Sequence, residues 1–284
     1  MAADIPAKGR DYLERFREVV SDPLNLLIDR VPLAGVVEDG LVWLHNGNRA
    51  PAAGPAAYYG DFSQILVINR GVHEPLEEYV FQELLRRLPP APQMLELGAY
   101  WGHYSMWLKR VRPESRVFLV EPNPKWLRAG EGNFALNGLD GEYIEGFVAQ
   151  GQFEVDRFLA ERGIERLDVL HCDIQGFELQ MLEGASGALA RQAVDYVFVS
   201  THGQKLHRRA VKQLRAFGYR VEVSSDFERE TTSFDGLVFA SSPRQAALFD
   251  DFTPMGREQI CSSSPEALLD YLAGVLRARA AKAG

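Results

Sequence analysis

The apolar residues in the middle of the chain fall into short runs that predict buried β-strands. The runs lie at residues 93–97, 115–121, 142–148, 167–172 and 194–200. Segments with helical spacing lie between and after them, at 103–111, 124–136, 153–163, 177–190 and 204–217. Strands that alternate with helices predict an α/β fold in which a parallel sheet is covered on both faces.

The alternation stops near the end of the chain. Residues 219–225 and 234–242 read as two strands with no helix between them, which predicts an antiparallel pair. Ser264 followed by Pro265 predicts the cap and first turn of a C-terminal helix over about 265–280.

The first 90 residues predict an extension of mixed structure before the regular core. In chain order it holds an interrupted amphipathic helix (10–30), a short hairpin and a Pro/Ala/Gly loop (36–60), and a second helix (73–88). We therefore expect an N-terminal extension, residues 1–90, that forms the cap on the acceptor side. Residues 91–284 form the predicted core.

Two apolar runs end in glutamates, and this predicts a ligand site. Glu96 and Glu121 lie at the carboxyl ends of the first two core strands, where open α/β sheets bind ligands. Gly98 and Gly102 follow the first strand, and their missing side chains let a ligand lie against the backbone. A carboxylate after the second strand accepts hydrogen bonds from both hydroxyls of a ribose, so a nucleoside is indicated. A tight strand-to-helix turn without a ligand is the alternative.

The glycine spacing distinguishes between nucleoside ligands. A dinucleotide fingerprint needs a glycine where this chain has Tyr100, which disfavours a nicotinamide oxidoreductase. The sequence also contains no GxxxxGK[ST] phosphate loop. Glu96 suits a cationic ligand with an amino group and a sulfonium, so S-adenosylmethionine is the predicted cofactor.

Four stretches resemble a known family. They are LELGAYWGHYS (95–105), VFLVEPNP (117–124), NFALNG (133–138) and LDVLHCDIQGFELQMLEGA (167–185). Together they resemble the class I S-adenosylmethionine-dependent methyltransferases, and within them the FkbM-like group, over roughly residues 73–241. The resemblance implies a Rossmann-like fold with a seven-stranded, mostly parallel sheet whose last strand is antiparallel.

The resemblance also implies a set of cofactor-binding residues. Glu96, Gly98 and Gly102 would hold the methionine part, Glu121 the ribose, and Asn123 and Phe147 would lie near the adenine. Tyr100, Ser105 and Asp173 complete this predicted set. The chain departs from the usual DxEGxE pattern at Gln175, where an acid is common, and it has His171 where a lysine often precedes the aspartate.

The predicted catalytic groups follow the fourth and fifth core strands. His202 is the expected general base for an alcohol acceptor, and Asp173 would orient it or tune its charge. The alternatives are that His202 only bonds within its turn and that Asp173 only caps the next helix. A divalent metal bound by His171, Asp173 and His202 stays open, because their spacing is not diagnostic.

The acceptor is expected to bind the segment that precedes the core and the residues near it. Aromatic side chains beside polar groups suit a sugar or polyketide-like ligand. A packed lid with solvated charges is the alternative, and the polar loop 225–233 is a possible second wall. The substrate-side residues are Tyr58, Tyr59, Arg70, His73, Glu74 and His171.

Composition narrows the class of partner. The formal net charge of −8 argues against nucleic-acid binding through a basic surface. The sequence holds no apolar run of membrane-spanning length, and its two cysteines are too few for a disulfide framework. We expect a cytoplasmic protein with a small-molecule acceptor and no nucleic-acid or membrane partner. The sequence does not decide the oligomeric state and allows a homo-oligomer.

The expected function is O-methylation of a hydroxyl on a small metabolite, such as a sugar or a natural-product scaffold. An N-methyltransferase of the same fold and a non-catalytic nucleoside-binding protein are the alternatives.

Overall fold

The computed structural model describes residues 16–54, 56–58, 60–226, 235–249 and 252–281. The chain divides into two compact units. The first comprises residues 1–79, 229–234 and 255–284, and the second comprises 80–228 and 235–254. The first unit ends at residue 79, not near 90, and it also contains residues 255–284, which the sequence assigned to the core. The expected role of residues 1–90 as a cap on the acceptor side stays a prediction.

The first unit begins with a helix over its described residues 16–21, and a 3-10 turn follows at Pro23–Leu26. Asp22 caps that turn, since its Oδ1 accepts a hydrogen bond from the Leu24 amide at 2.8 Å. The interruption expected here is confirmed. Residues 10–15 lie outside the described part of the chain.

The first unit also contains a small antiparallel sheet in the order β1-β2-β3, where the sequence predicted only a hairpin. A 3-10 turn (Gly60–Ser63) and two helices follow it, and the second helix continues into the second unit. The elements are β1 (Val37–Glu38), β2 (Leu41–Trp43), β3 (Arg49–Pro51), α1 (Gln64–Ile68) and α2 (Pro75–Leu85).

The second unit is built on a seven-stranded sheet. Its strands are β4 (Gln93–Leu97), β5 (Arg116–Glu121), β6 (Glu142–Glu145), β7 (Leu167–Cys172), β8 (Val194–Thr201), β9 (Arg220–Ser225) and β10 (Gly236–Ser241). Their spatial order is β6-β5-β4-β7-β8-β10-β9. The pairs from β6 to β8 are parallel, whereas β10 runs antiparallel to both β8 and β9. The predicted fold class is confirmed.

Helices follow the strands of this sheet, as expected. They are α3 (His103–Val111), α4 (Pro124–Leu136), α5 (Val155–Glu161), α6 (Glu178–Gly184), α7 (Ser186–Ala190) and α8 (Gln204–Ala216). The helix predicted over 177–190 is broken at Ala185, and the strand predicted over 142–148 ends at Glu145. Two C-terminal helices, α9 (Arg257–Ser262) and α10 (Pro265–Ala281), lie in the first unit.

The central strands are buried along almost their whole length. Every residue of β8 is buried, and β4, β5 and β7 each have one residue that is not. Strands covered by helices on both faces need such near-continuous apolar runs, which explains why these strands are clear in the sequence. Cys172 lies in this core, as expected. No helix in the described part of the chain is long and apolar enough to cross a bilayer.

Candidate active site

The site lies at the carboxyl ends of the central strands. The chain passes from β4 to β5 on one side and later returns to β7 on the other, so β4 and β7 flank a switch in strand order. A crevice forms outside the strand ends at such a point. The residues that follow β4, β5, β7 and β8 therefore converge there.

Gly98 is fixed by close packing of two loops in this crevice. Its φ is +74°, and a Cβ at this position would lie 1.7 Å from the carbonyl oxygen of Asp173. The Asp173 amide also donates to the Leu97 carbonyl at 3.0 Å. A side chain at Gly98 would therefore push Asp173 out of place, so this glycine has a packing role besides any contact with a cofactor.

Glu121 is held in one orientation by two loops. Its Oε2 accepts from the Tyr100 amide at 3.2 Å and its Oε1 from the Asn123 amide at 2.9 Å. Burial raises the pKa of Glu121, and these two amide hydrogen bonds oppose that shift. Each carboxylate oxygen keeps a second lone pair, so the geometry is compatible with the predicted ribose contact.

The loops around Glu121 have identifiable local causes. Tyr100 adopts φ +45°, a left-handed conformation that is uncommon outside glycine and stands where a dinucleotide fold has its second glycine. Asn123 caps α4 by accepting from the Lys125 amide at 3.0 Å, and Pro124 occupies the first helical position. The Asn123 side chain is therefore engaged in the cap.

Glu96 and Ser105 are both buried. The Ser105 amide donates to Glu96 Oε2 at 3.1 Å, so this carboxylate caps the first turn of α3. Burial raises the pKa of Glu96, while the charge of His171 and the Ser105 hydrogen bonds lower it. The cofactor contacts expected of Glu96 and Ser105 stay predictions, and the helix cap gives both a structural role.

Exposed aromatic rings border the adenine end of the predicted site. Phe147 is 37% exposed and packs edge-on against Phe177, with ring centroids 4.7 Å apart. Trp126 packs edge-on against Tyr100 with centroids 5.1 Å apart. A cavity of about 490 Å³ is lined by Phe147 and by residues after β5 and β6. Phe177 and Trp126 were not predicted, although large apolar residues exposed beside a cleft are a recognised signal.

His202 lies at the centre of a cluster of carboxylates. Its Nδ1 is 2.7 Å from Oε1 of the fully buried Glu178, and its Nε2 is 3.3 Å from Oδ1 of Asp173. The same Nε2 is 3.4 Å from Oδ1 of Asp235 and 2.7 Å from Nε2 of Gln175. The structure thus brings together His202 and Asp173, as predicted, and adds two acids.

These acids change the protonation of His202. Burial alone would lower its pKa, but the hydrogen bonds to Asp173 and Glu178 and the charge of Asp235 outweigh burial and raise the pKa of His202 to about 11. At neutral pH the imidazole then carries a proton, whereas a general base must start without one. For His202 to act as predicted, a further positive charge has to lower its pKa.

Asp235 is an acid of this cluster that the sequence analysis did not single out. It precedes β10, which pairs antiparallel with β8 so that Gly236 lies opposite Thr201. Asp235 therefore lies close to His202, although it comes more than 30 residues later in the sequence. The signal available in the sequence was an acid directly before the final strand, but its neighbour is decided only by strand order.

His171 does not join this cluster, and the suggested metal set is corrected accordingly. The His171 ring is buried, with its centroid 4.3 Å from that of Tyr104 and 5.6 Å from that of Phe198. An aromatic environment of this kind is typical of a core histidine.

Asp235 takes the place of His171 in the candidate metal set. Asp173, His202 and Asp235 each offer one possible ligand atom, and these atoms lie within 4.8 Å of one another.

The predicted acceptor residues of the first unit are partly buried. Tyr58 packs edge-on against His73 with centroids 4.7 Å apart, and His73 Nδ1 is 2.6 Å from Glu78 Oε1. Arg70 is exposed, and Glu74 is partly exposed. Tyr59 and most of the 225–233 loop lie outside the described residues. A substrate role for these residues stays a prediction, and the burial of Tyr58 and His73 indicates a role in packing.

Comparisons with known proteins give a family match for part of the chain. Residues 145–221 match the family model described as "Methyltransferase FkbM domain". The sequence matches none of the curated proteins with which it was compared.

Solved structures with similar chains are distant. The methyltransferase FkbM of Methylobacillus flagellatus is 17% identical, with a TM-score of 0.42, over 54% of this chain and 44% of that one. The precorrin-6y C5,15-methyltransferase of Geobacter metallireducens is 16% identical, with a TM-score of 0.41, over 58% and 87%. M. capricolum TrmK, in complex with S-adenosylhomocysteine, is 13% identical, with a TM-score of 0.41, over 70% and 83%.

The strand order and the crevice at its switch point define a class I methyltransferase-type fold. The match to the FkbM domain model over residues 145–221 agrees with the resemblance seen in that part of the sequence.

Proposed function

We propose that this protein transfers a methyl group from S-adenosylmethionine to a hydroxyl oxygen of a small metabolite, such as a sugar or a natural-product scaffold. The observation that carries the proposal is that one crevice holds an oriented carboxylate on one side and an imidazole–carboxylate pair on the other. Glu121 is held at the end of β5, and the Asp173 and His202 side chains meet beyond β7 and β8. One side thus suits a nucleoside and the other side suits an acceptor with a proton to lose.

The residues present fit the cofactor. Glu121 offers an oriented carboxylate for ribose hydroxyls. The exposed ring of Phe147, which packs against Phe177, lines a cavity that Pro122 also borders. S-adenosylmethionine supplies a methyl group already activated by its sulfonium. The protein's task is then to align the acceptor and to help its proton leave.

The acceptor side is assigned to His202 and Asp173, which assist this deprotonation. Asp173 has a fixed backbone, because its carbonyl packs on Gly98 and its amide donates to Leu97. His202 is fixed through Glu178. Groups held in this way contribute to rate through positioning, since an acceptor aligned within about 3 to 3.5 Å of the methyl carbon needs little further reorganisation.

An N-methyltransferase of the same fold is the second candidate, and one observation favours it. Asp173, Glu178 and Asp235 place three carboxylates around a single imidazole, and such an anionic site also suits a protonated amine. A non-catalytic nucleoside-binding protein has the same crevice but no turnover.

One experiment separates these candidates. Calorimetry with S-adenosylmethionine and S-adenosylhomocysteine tests the cofactor, and mass spectrometry then follows methyl transfer to paired alcohols and amines of one scaffold. We expect cofactor binding and transfer to the alcohols. Transfer to the amines alone would replace the proposal by N-methylation, and binding without transfer to alcohols or amines would replace it by a non-catalytic nucleoside-binding protein. The absence of binding to either cofactor compound would overturn it.

A further inference from the structure

We infer that Asp173, His202 and Asp235 form a binding site for a divalent metal ion on the acceptor side of the crevice. The inference rests on the proposed function and deepens it, because the ion would bind the acceptor hydroxyl. Its ligands are one imidazole nitrogen and two carboxylate oxygens.

The distances between the candidate ligand atoms fit a shared ion. His202 Nε2 is 3.3 Å from Asp173 Oδ1 and 3.4 Å from Asp235 Oδ1. Two atoms that are each about 2.1 Å from one metal ion are roughly 3.0 Å apart at right angles and roughly 3.4 Å apart in a tetrahedron. An ion can therefore enter with small side-chain shifts.

The imidazole is oriented as in known metal sites. Histidine ligands commonly bond a carboxylate through one ring nitrogen, which fixes the ring and leaves the other nitrogen for the metal. Here Nδ1 of His202 lies 2.7 Å from Oε1 of Glu178, which also accepts from the Gly176 amide at 3.0 Å. Glu178 is fully buried. Nε2 is thereby directed toward the two aspartates.

The ligands lie directly beside three neighbouring strands and stay accessible. Asp173 follows β7, His202 follows β8, and Asp235 precedes β10, which are consecutive neighbours in the sheet. Their side chains are 26%, 14% and 16% exposed, so solvent and an acceptor can reach them. A site built on the ends of strands holds its geometry better than one built on a long loop.

The charge of the cluster also favours a cation. Asp173, Glu178 and Asp235 contribute three negative charges around one imidazole. The Gln175 amide lies 2.7 Å from His202 Nε2, and a half turn of this amide would present its oxygen to the same place. Carboxylates with one imidazole suit Mn²⁺ or Zn²⁺.

An ion at this site would act as a Lewis acid on the acceptor. Coordination lowers the pKa of a bound hydroxyl, so the acceptor O–H proton passes to water. The new O–CH₃ bond then forms as the S–CH₃ bond of the cofactor breaks, and the electron pair of that bond stays on sulfur. In this form His202 is a ligand that binds the ion through a deprotonated Nε2, and it does not itself take the acceptor proton.

The test measures metal binding directly on the full chain. Metal-stripped protein is titrated with Mn²⁺, and the electron paramagnetic resonance signal of the free ion is recorded, with Zn²⁺ and Mg²⁺ titrated by calorimetry. The variants are Asp173→Asn and Asp235→Asn. Glu165→Gln removes an exposed carboxylate elsewhere and is the matched control.

We expect one Mn²⁺ per wild-type chain, binding at least ~10-fold weaker in each aspartate variant, and no change in the control. Wild-type protein that binds none of the three ions, or folded variants that bind them as the wild type does, would overturn the inference. The wild-type result does not depend on whether a variant folds. Separate calorimetry with S-adenosylmethionine distinguishes this failure from failure of the proposed function.

Discussion

Two clusters of histidine and carboxylate among the described residues differ in the ratio of histidines to carboxylates and in exposure to solvent. In the first unit, Glu78 lies between two histidines, with His45 Nε2 2.8 Å from its Oε2 and His73 Nδ1 2.6 Å from its Oε1. All three side chains are at most 3% exposed. In the second unit, His202 has three carboxylates, and Asp173 is 26% exposed.

The difference separates a structural cluster from a candidate catalytic one. Glu78 also accepts from the His73 and Glu74 amides at the start of α2, so one carboxylate receives donors from two rings and two amides. A buried charge satisfied in this way fixes a helix entry and a turn. Among the described residues, the His202 imidazole faces three carboxylates and Asp173 is partly open to solvent, which suits a cation or an acceptor.

The largest effect is expected from Glu78→Gln. This change removes the charge that faces two buried histidines, and we expect a loss of about 3 kcal/mol in the free energy of unfolding. Urea unfolding at pH 6 measures it, with Glu165→Gln as the control for loss of a surface carboxylate. A loss no greater than that of the control would remove the distinction between the clusters.

His202→Ala should affect turnover more than stability. We expect a fall of roughly 100-fold in kcat with cofactor affinity retained, because the residue assists proton removal or holds the ion that does so. Steady-state kinetics and calorimetry provide the two readouts, and Lys205→Ala on the exposed side of α8 is the neighbouring control. Undiminished kcat would exclude His202 from the chemistry.

Glu121→Ala tests the other side of the crevice. We expect S-adenosylmethionine to bind about 1 to 3 kcal/mol more weakly, since one carboxylate oriented by two amides would lose its ribose contacts. Calorimetry measures this, and Glu121→Gln, which keeps the shape, should recover part of the loss. Unchanged affinity in the alanine variant would contradict the ribose assignment.

The smallest effect concerns the pH dependence of stability. Burial alone would lower the pKa of His73, but Glu78 and Glu74 raise it above the ordinary value of 6.5. Protonated His73 therefore stabilises the folded state fully below pH 6.5, and this contribution is lost as the pH rises through the raised pKa. Burial alone would raise the pKa of Glu78, but His73 and His45 lower it well below 4.5. Ionised Glu78 therefore stabilises the folded state fully above pH 4.5, and this contribution is lost as the pH falls through the lowered pKa.

We therefore expect the unfolding free energy that this cluster contributes to be greatest between pH 4.5 and 6.5. Urea unfolding of wild type and Glu78→Gln over a pH series provides the test, and the difference between the two proteins should peak in this window. A difference that does not vary with pH would contradict the assigned protonation states.

Much of the fold was predictable because burial leaves a local pattern. The bounds expected for β4, β5, β7 and β8 differ from the observed ones by at most one residue, since each strand is a nearly continuous apolar run. The positions of Glu96, Gly98 and Glu121 at strand ends follow directly from those runs. The three strands of the first sheet are only two or three residues long, too short for a periodic pattern to form.

The sequence by itself determined the alternation of strands and helices, the glycines of the first turn and the acids at two strand ends, because each depends on neighbouring residues. Only the tertiary structure decided that Asp235 meets His202 and that His171 is enclosed by aromatic rings. Those contacts depend on which strands pair and in which direction. Pairing is settled by the packing of the whole sheet, and a local pattern of apolar residues does not encode it.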